Sequence, residues 1–242
     1  MFENEIDRFE WLIDTLLLKA KQVDVSRLTD PNNIEVMLVA TGLVERALSY
    51  SSAIRTLIIN NQTADSQPLQ RAIYELWIEH KYLLSVGEPL INAIKAQINA
   101  NFEAIEFAEA RPESFSSDRL DGIKRNIDFW SIEHPNIIKE IRDQRKKRRF
   151  HWSGVSRSQM ERAVMPAPEV YQMLSWEAHA VLSPIRDVEF FKGDSEYRLW
   201  FEPRNTPTVN PEWVSYFAGG ILYYMWNSYA EFFGLPSIEL PV

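Results

Sequence analysis

Cysteine is absent from the 242 residues of this chain. That excludes disulfides, thiolate nucleophiles, iron–sulfur clusters and every zinc site built on sulfur. Glycine is scarce, with 8 residues against an average usage near ~7%. Few glycines mean few left-handed turns, which weighs against a sheet-rich or Rossmann-type fold. Long uncharged apolar stretches are missing too, save Trp213 to Ala230, and that one holds Ser215, Asn227, Ser228 and four Tyr. Its length only touches the lower limit of ~17–18 residues for a membrane span. A buried, aromatic C-terminal helix is the better reading, and no membrane partner is expected. The N-terminal Met-Phe-Glu-Asn-Glu lacks a basic segment and a small-residue cleavage site, so no secretory signal is read there. Cytoplasmic localisation is the expectation.

Several catalytic signatures are also missing. The four histidines are His80, His134, His151 and His179, and no two stand three or four residues apart. Three residues before them come Trp77, Ser131, Arg148 and Trp176, so Glu-x-x-His never occurs. The di-iron bundle signature and His-Glu-x-x-His are therefore absent. Phosphate-binding Gly-x-x-x-x-Gly-Lys, dinucleotide-binding Gly-x-Gly-x-x-Gly and the Gly-x-Ser-x-Gly nucleophile elbow are absent as well. Neither a metal nor a cofactor is expected.

What is present suits a globular helical protein. Hydrophobic residues make up 45%, charged residues 25%, and 8 Trp, 9 Tyr and 13 Phe supply a sizeable core. Apolar residues recur at helical spacing through residues 2–22, with Phe2, Ile6, Phe9, Ile13, Leu16 and Leu17 on the stripe. Asp30-Pro31 reads as a helix start, and Ile34 to Ile59 as a long helix closed by Asn60-Asn61-Gln62. Ser66 and Pro68 open the next helix, which Gly87 ends, and Pro89 to Ala110 form another, stopped by Arg111-Pro112. Helices are expected near 119–130 and 136–150, after Ser156, and over 169–189. Residues 192–211 are too rich in Gly and Pro for a long helix, and Tyr197 to Phe201 reads as extended. Asn210-Pro211 restarts a helix that Gly234 and Pro236 end. The expected fold is all-α, a bundle of about seven to nine helices with a tucked C-terminal aromatic helix. One domain over residues 1–242 is the economical organisation, with a core over 35–190 and an irregular segment plus helix over 191–242.

The formal net charge is −8, but it is unevenly spread. Arg142, Arg145, Lys146, Lys147, Arg148 and Arg149 surround one acid, Asp143, so this window carries +5 and the remainder −13. Such a run can meet phosphate, hence RNA, on an acidic protein, with Phe150 and Trp152 at hand for stacking.

Four constellations carry the candidate chemistry. Arg71 and Glu75 stand one helical turn apart, which is either a structural ion pair or a general base with a raised pKa. His151-Trp152-Ser153-Gly154 follows the basic run where a helix must end. It is either a helix terminus or a junction presenting imidazole, indole and hydroxyl to one pocket. Tyr171, Ser175 and His179 fall on one stripe, as a polar seam or as ligand contacts. Arg145, followed six residues later by His151, is a solvated basic face or a phosphate-and-proton pair.

The last spacing resembles the motif of HEPN-type helical ribonucleases. That resemblance implies a homodimer, with Arg145 steadying phosphate and His151 handling the proton. Together with Glu75 and His179, these two are the candidate catalytic residues. The chain also resembles a bacterial helical family of unknown function (domain of unknown function five-six-seven-seven). The matching pattern is Arg71…Glu75, then His151-Trp152-Ser153-Gly154, then Tyr171…Ser175…His179, across about residues 35–190. This resemblance implies an all-helical domain and no established activity. The leading expectation is a binding or regulatory domain whose polar residues receive a small polar ligand. The alternatives are a metal-independent ribonuclease of a toxin or phage-defence system, or a non-catalytic nucleic-acid module.

Overall fold

The computed structural model describes residues 2–21, 33–147, 151–164, 189–192, 197–200 and 210–240. Among them are eight α-helices: α1 (Glu5–Ala20), α2 (Asn33–Ile59), α3 (Gln67–Ser85), α4 (Pro89–Ala110), α5 (Ser117–Glu133), α6 (Pro135–Lys146), α7 (Arg157–Val164) and α8 (Pro211–Phe233). The fold is all-α. A two-stranded antiparallel ribbon joins β1 (Glu189–Lys192) to β2 (Tyr197–Trp200), with Glu189 opposite Trp200. The extended reading of 197–201 falls on β2. The expected helix over 169–189 and the Asp30-Pro31 start lie outside the described residues.

Local chemistry explains most boundaries. The Asn4 side chain accepts from the Asp7 N–H at 2.8 Å and starts α1. At the end of α2, Asn61 turns left-handed with φ 58°. Its N–H reaches the Ile58 carbonyl at 3.0 Å, and the Gln62 N–H reaches Leu57 at 2.8 Å. These are the paired bonds of a Schellman cap. Pro89 occupies the first turn of α4, and the Arg111 N–H closes its end on Phe107 at 2.9 Å. α6 stops at Lys146, short of the expected 150, because Lys147 leaves helical geometry with ψ 9°. Asn210 caps α8 by accepting from the Glu212 N–H at 2.9 Å, and Gly234 ends that helix at φ 66°.

The elements fall into two compact units. The first contains α1, α2 from Gly42 onward, α3 as far as Lys81, the ribbon and α8. α8 buries Val214, Ala218, Leu222, Met225 and Tyr229, and packs on the Phe9, Leu12, Ile13 and Leu16 face of α1. Leu17, on the expected apolar stripe, is 39% exposed, whereas Leu12, which that stripe left out, is 2% exposed, because α8 packs on the Leu12 face of α1. The second unit holds the start of α2, the end of α3 and α4 to α7. Its core is Ile94, Ile98, Ile127, Trp130, Ile138 and Ile141, flanked by Leu90, Phe102, Ile105 and Ile137. No helix among the described residues is long and apolar enough to cross a membrane.

Candidate functional site

The segment after α6 gathers several polar groups in one short turn. The Gly154 N–H donates to the His151 carbonyl at 3.0 Å, closing a four-residue turn, and Gly154 adopts φ 73°. Only glycine takes that backbone without strain. Trp152 is buried, and its indole meets the Tyr82 ring edge-on at 5.8 Å, which anchors the turn in the second unit. The His151 ring lies 5.3 Å from the Trp152 ring. Ser156 and Gln159 then exchange bonds: the Gln159 N–H donates to the Ser156 hydroxyl at 3.3 Å, and the Ser156 N–H to the Gln159 amide oxygen at 2.8 Å. This capping box starts α7, so both ends of the turn are held.

Inside the turn, the Ser153 Oγ stands 2.6 Å from His151 Nδ1. The Ser153 backbone N–H also donates to Nδ1, at 3.3 Å. A nitrogen that accepts an N–H carries no proton, so in the neutral ring the proton belongs on Nε2. The Ser153 hydroxyl accepts from the Val155 N–H at 3.3 Å, and its own proton is best placed for Nδ1. Imidazole and hydroxyl are thus joined, half-buried, at a fixed turn.

The basic run is not a uniform cationic face. Arg145 has only 9% of its side chain exposed and points its guanidinium at α4. Its Nε and NH2 donate to the two carboxylate oxygens of Glu106 at 3.1 and 2.5 Å, and NH1 donates to Asn99 Oδ1 at 2.7 Å. Asn99 itself donates to Glu103 at 2.8 Å. Arg142 lies over the Phe102 ring at 5.6 Å, and exposed Lys146 sits 3.6 Å from Asp143. Lys147 is exposed, while Arg148 and Arg149 lie outside the described residues. Trp152 is covered, so its ring is not offered to a base. The partners of Arg145 had a readable signal, because Asn99, Glu103 and Glu106 step by four and three along one helix stripe.

Arg71 and Glu75 do pair on α3, Nε to Oε1 at 2.8 Å, with 19% and 24% of their side chains exposed. They belong to the first unit, whereas His151 and Ser153 belong to the second. Tyr171, Ser175 and His179 lie outside the described residues. One histidine that no motif singled out stands apart. His80 on α3 is fully buried, and neither ring nitrogen has a hydrogen-bond partner among the described residues. Burial without a partner pushes its pKa down to about 4. No group of three His, Asp or Glu among the described residues is placed to hold a metal.

The profile of a family of unknown function, DUF5677, matches residues 37–196. The chain belongs to that family. The DUF5677 span contains the Arg71–Glu75 pair and the His151–Gly154 turn, and it leaves out α1 and α8. No curated protein and no solved structure matches the chain.

Proposed function

We propose that this DUF5677 protein is a single cytoplasmic binding or regulatory domain, and that its His151–Ser153 turn receives a small polar ligand. The reading rests on the 2.6 Å contact between His151 Nδ1 and Ser153 Oγ. A hydroxyl and an imidazole locked together on a half-exposed turn form a donor–acceptor pair that a carboxylate, phosphate or amide group can join. The anchoring of Trp152 and the capping box at Ser156 support it, since a preorganised polar pair loses little freedom on binding. The reading does not depend on Arg71, Glu75, Tyr171, Ser175 or His179.

The test is a ring-nitrogen NMR titration of His151 in the full chain, using acetate, inorganic phosphate and acetamide in turn. A saturable shift with at least one of them, lost in Ser153→Ala, is expected. Silence of the His151 signals toward all three overturns the reading. Incubation with total RNA provides the contrast: cleavage by the wild type and not by His151→Ala would replace it with the ribonuclease alternative.

A further inference from the structure

α1 and α8, both in the first unit, border a cleft of about 120 Å³. Phe9 and Leu12 line it from α1, and Ser215, Gly219, Gly220 and Tyr223 from α8. Two adjacent glycines in the middle of a helix need a reason, since glycine is a poor helix former. Gly219 has one in packing: a Cβ there would come 3.4 Å from the Phe9 ring. Gly220 has no such reason. A Cβ on it would meet nothing within 4 Å, and its backbone is ordinary helix. What the missing side chain does is leave the floor of the cleft open.

A second observation is independent of the glycines. The Ser215 hydroxyl belongs to a lining residue only 1% exposed and has no hydrogen-bond partner among the described residues. A buried hydroxyl left unpaired is costly, and an occupant that displaces the atoms covering it can supply its partner. At the edge, among the described residues, Arg8 reaches only a long 3.4 Å contact with Glu5, and both side chains are more than a third exposed. That guanidinium can take a better carboxylate in two-pronged fashion.

We infer that the α1–α8 cleft is a binding site for a small one-ring aromatic carboxylate. Its ring lies on the Gly220 floor beside Tyr223 and the Phe9 edge, and its carboxylate pairs with Arg8. The volume is of the order that holds one benzene-sized ring in other proteins, ~150 Å³. A cationic ring is disfavoured beside Arg8, although Glu5 makes it the arm to compare. The residues that line the cleft all lie outside 37–196, so none of them belongs to the His151 turn or to the DUF5677 span.

The experiment is ligand-detected NMR on the full chain with benzoate, phenol and benzylamine, for wild type, Gly220→Leu and Arg8→Gln. Leucine at 220 fills the floor and is a better helix former than glycine, so a thermal melt at or above that of the wild type verifies folding. Saturable benzoate binding to the wild type is expected. Gly220→Leu should weaken it by about tenfold or more, and Arg8→Gln should weaken benzoate severalfold while leaving phenol unchanged. Any of three results overturns the proposal: no saturable benzoate binding at millimolar concentration, unchanged binding to folded Gly220→Leu, or tighter binding of benzylamine than of benzoate.

Discussion

Gly154 lies so close against α6 that a Cβ on it would stand 2.5 Å from the Gln144 amide nitrogen. That amide donates to Glu140 at 3.0 Å, and Glu140 accepts from Lys95 at 2.7 Å, so moving the amide aside gives up one exposed hydrogen bond. Two effects oppose any side chain at 154, the φ of 73° and the contact with Gln144. The backbone term is worth ~1–2 kcal/mol, whereas the end of a glutamine side chain can swing away. Gly154→Ala should therefore lose about 1–2 kcal/mol in urea unfolding. Most of that loss should persist in a Gln144→Ala background. Its disappearance there would mean that the contact, and not the backbone, is what demands glycine.

Arg145 gives the second prediction. Glu103 and Glu106 are 56% and 58% exposed and can rehydrate when the guanidinium is removed. Asn99, 6% exposed, cannot. Its carbonyl would be left buried without its charged donor, a loss of ~1.5–3 kcal/mol. Arg145→Ala should destabilise the protein by about that amount, and Arg142→Ala, which gives up only a surface contact with Phe102, by less than ~1 kcal/mol. Equal urea midpoints for the two variants would contradict the assignment. Loss of any activity in Arg145→Ala must then be read against its stability, because the same guanidinium that resembles a phosphate clamp also ties α6 to α4.

At Asn61 the prediction concerns a cap. A left-handed residue at the close of α2 favours glycine, tolerates asparagine and resists a β-carbon without a compensating polar group. Asn61→Gly should unfold within about 1 kcal/mol of the wild type or slightly above it, and Asn61→Ala should lose about 1 kcal/mol. Thermal melts of the pair order the two. An alanine variant as stable as the glycine variant would show that the last turn of α2 frays rather than holds its Schellman bonds.

Helix ends were the most legible feature, because Pro89, Arg111-Pro112, Asn210-Pro211 and Gly234 act through local backbone chemistry. The choice between Leu12 and Leu17 was not legible. The apolar stripe took in Leu17 and left out Leu12, and packing against α8 reverses that choice. The basic run reads as a solvated or phosphate-facing stripe; the Asn99, Glu103 and Glu106 stripe was visible, but not that Asn99 and Glu106, 46 and 39 residues earlier, are brought against Arg145. In the candidate site, the string His151-Trp152-Ser153-Gly154 was visible as an unusual run of residue types. The Nδ1–Oγ contact inside it depends on the turn that Gly154 permits. Ser215 and Gly220 carried no readable signal within an aromatic helix, since their meaning lies in what α1 leaves open beside them.

His80 carries the last prediction, a pH dependence. Its ring is fully buried 6.5 Å from the Tyr229 ring, both centroid to centroid, and burial lowers its pKa from 6.5 to about 4. In the unfolded chain the imidazole takes a proton as pH falls through 6.5, while the native protein refuses one until pH is near 4. The unfolded state therefore binds more protons in that window, and stability falls with falling pH there. Above 6.5 the contribution of His80 is complete, and below about 4 its loss is complete and the dependence flattens. The total is about 3 kcal/mol at ~1.4 kcal/mol per pH unit. His80→Leu removes the titration and a polar ring without hydrogen-bond partners among the described residues, so at pH 7 the variant should be at least as stable as the wild type. Urea midpoints taken from pH 7 down to pH 4 should show its advantage widening by about 3 kcal/mol. A constant difference across that range would mean that the His80 ring reaches water or a partner in solution.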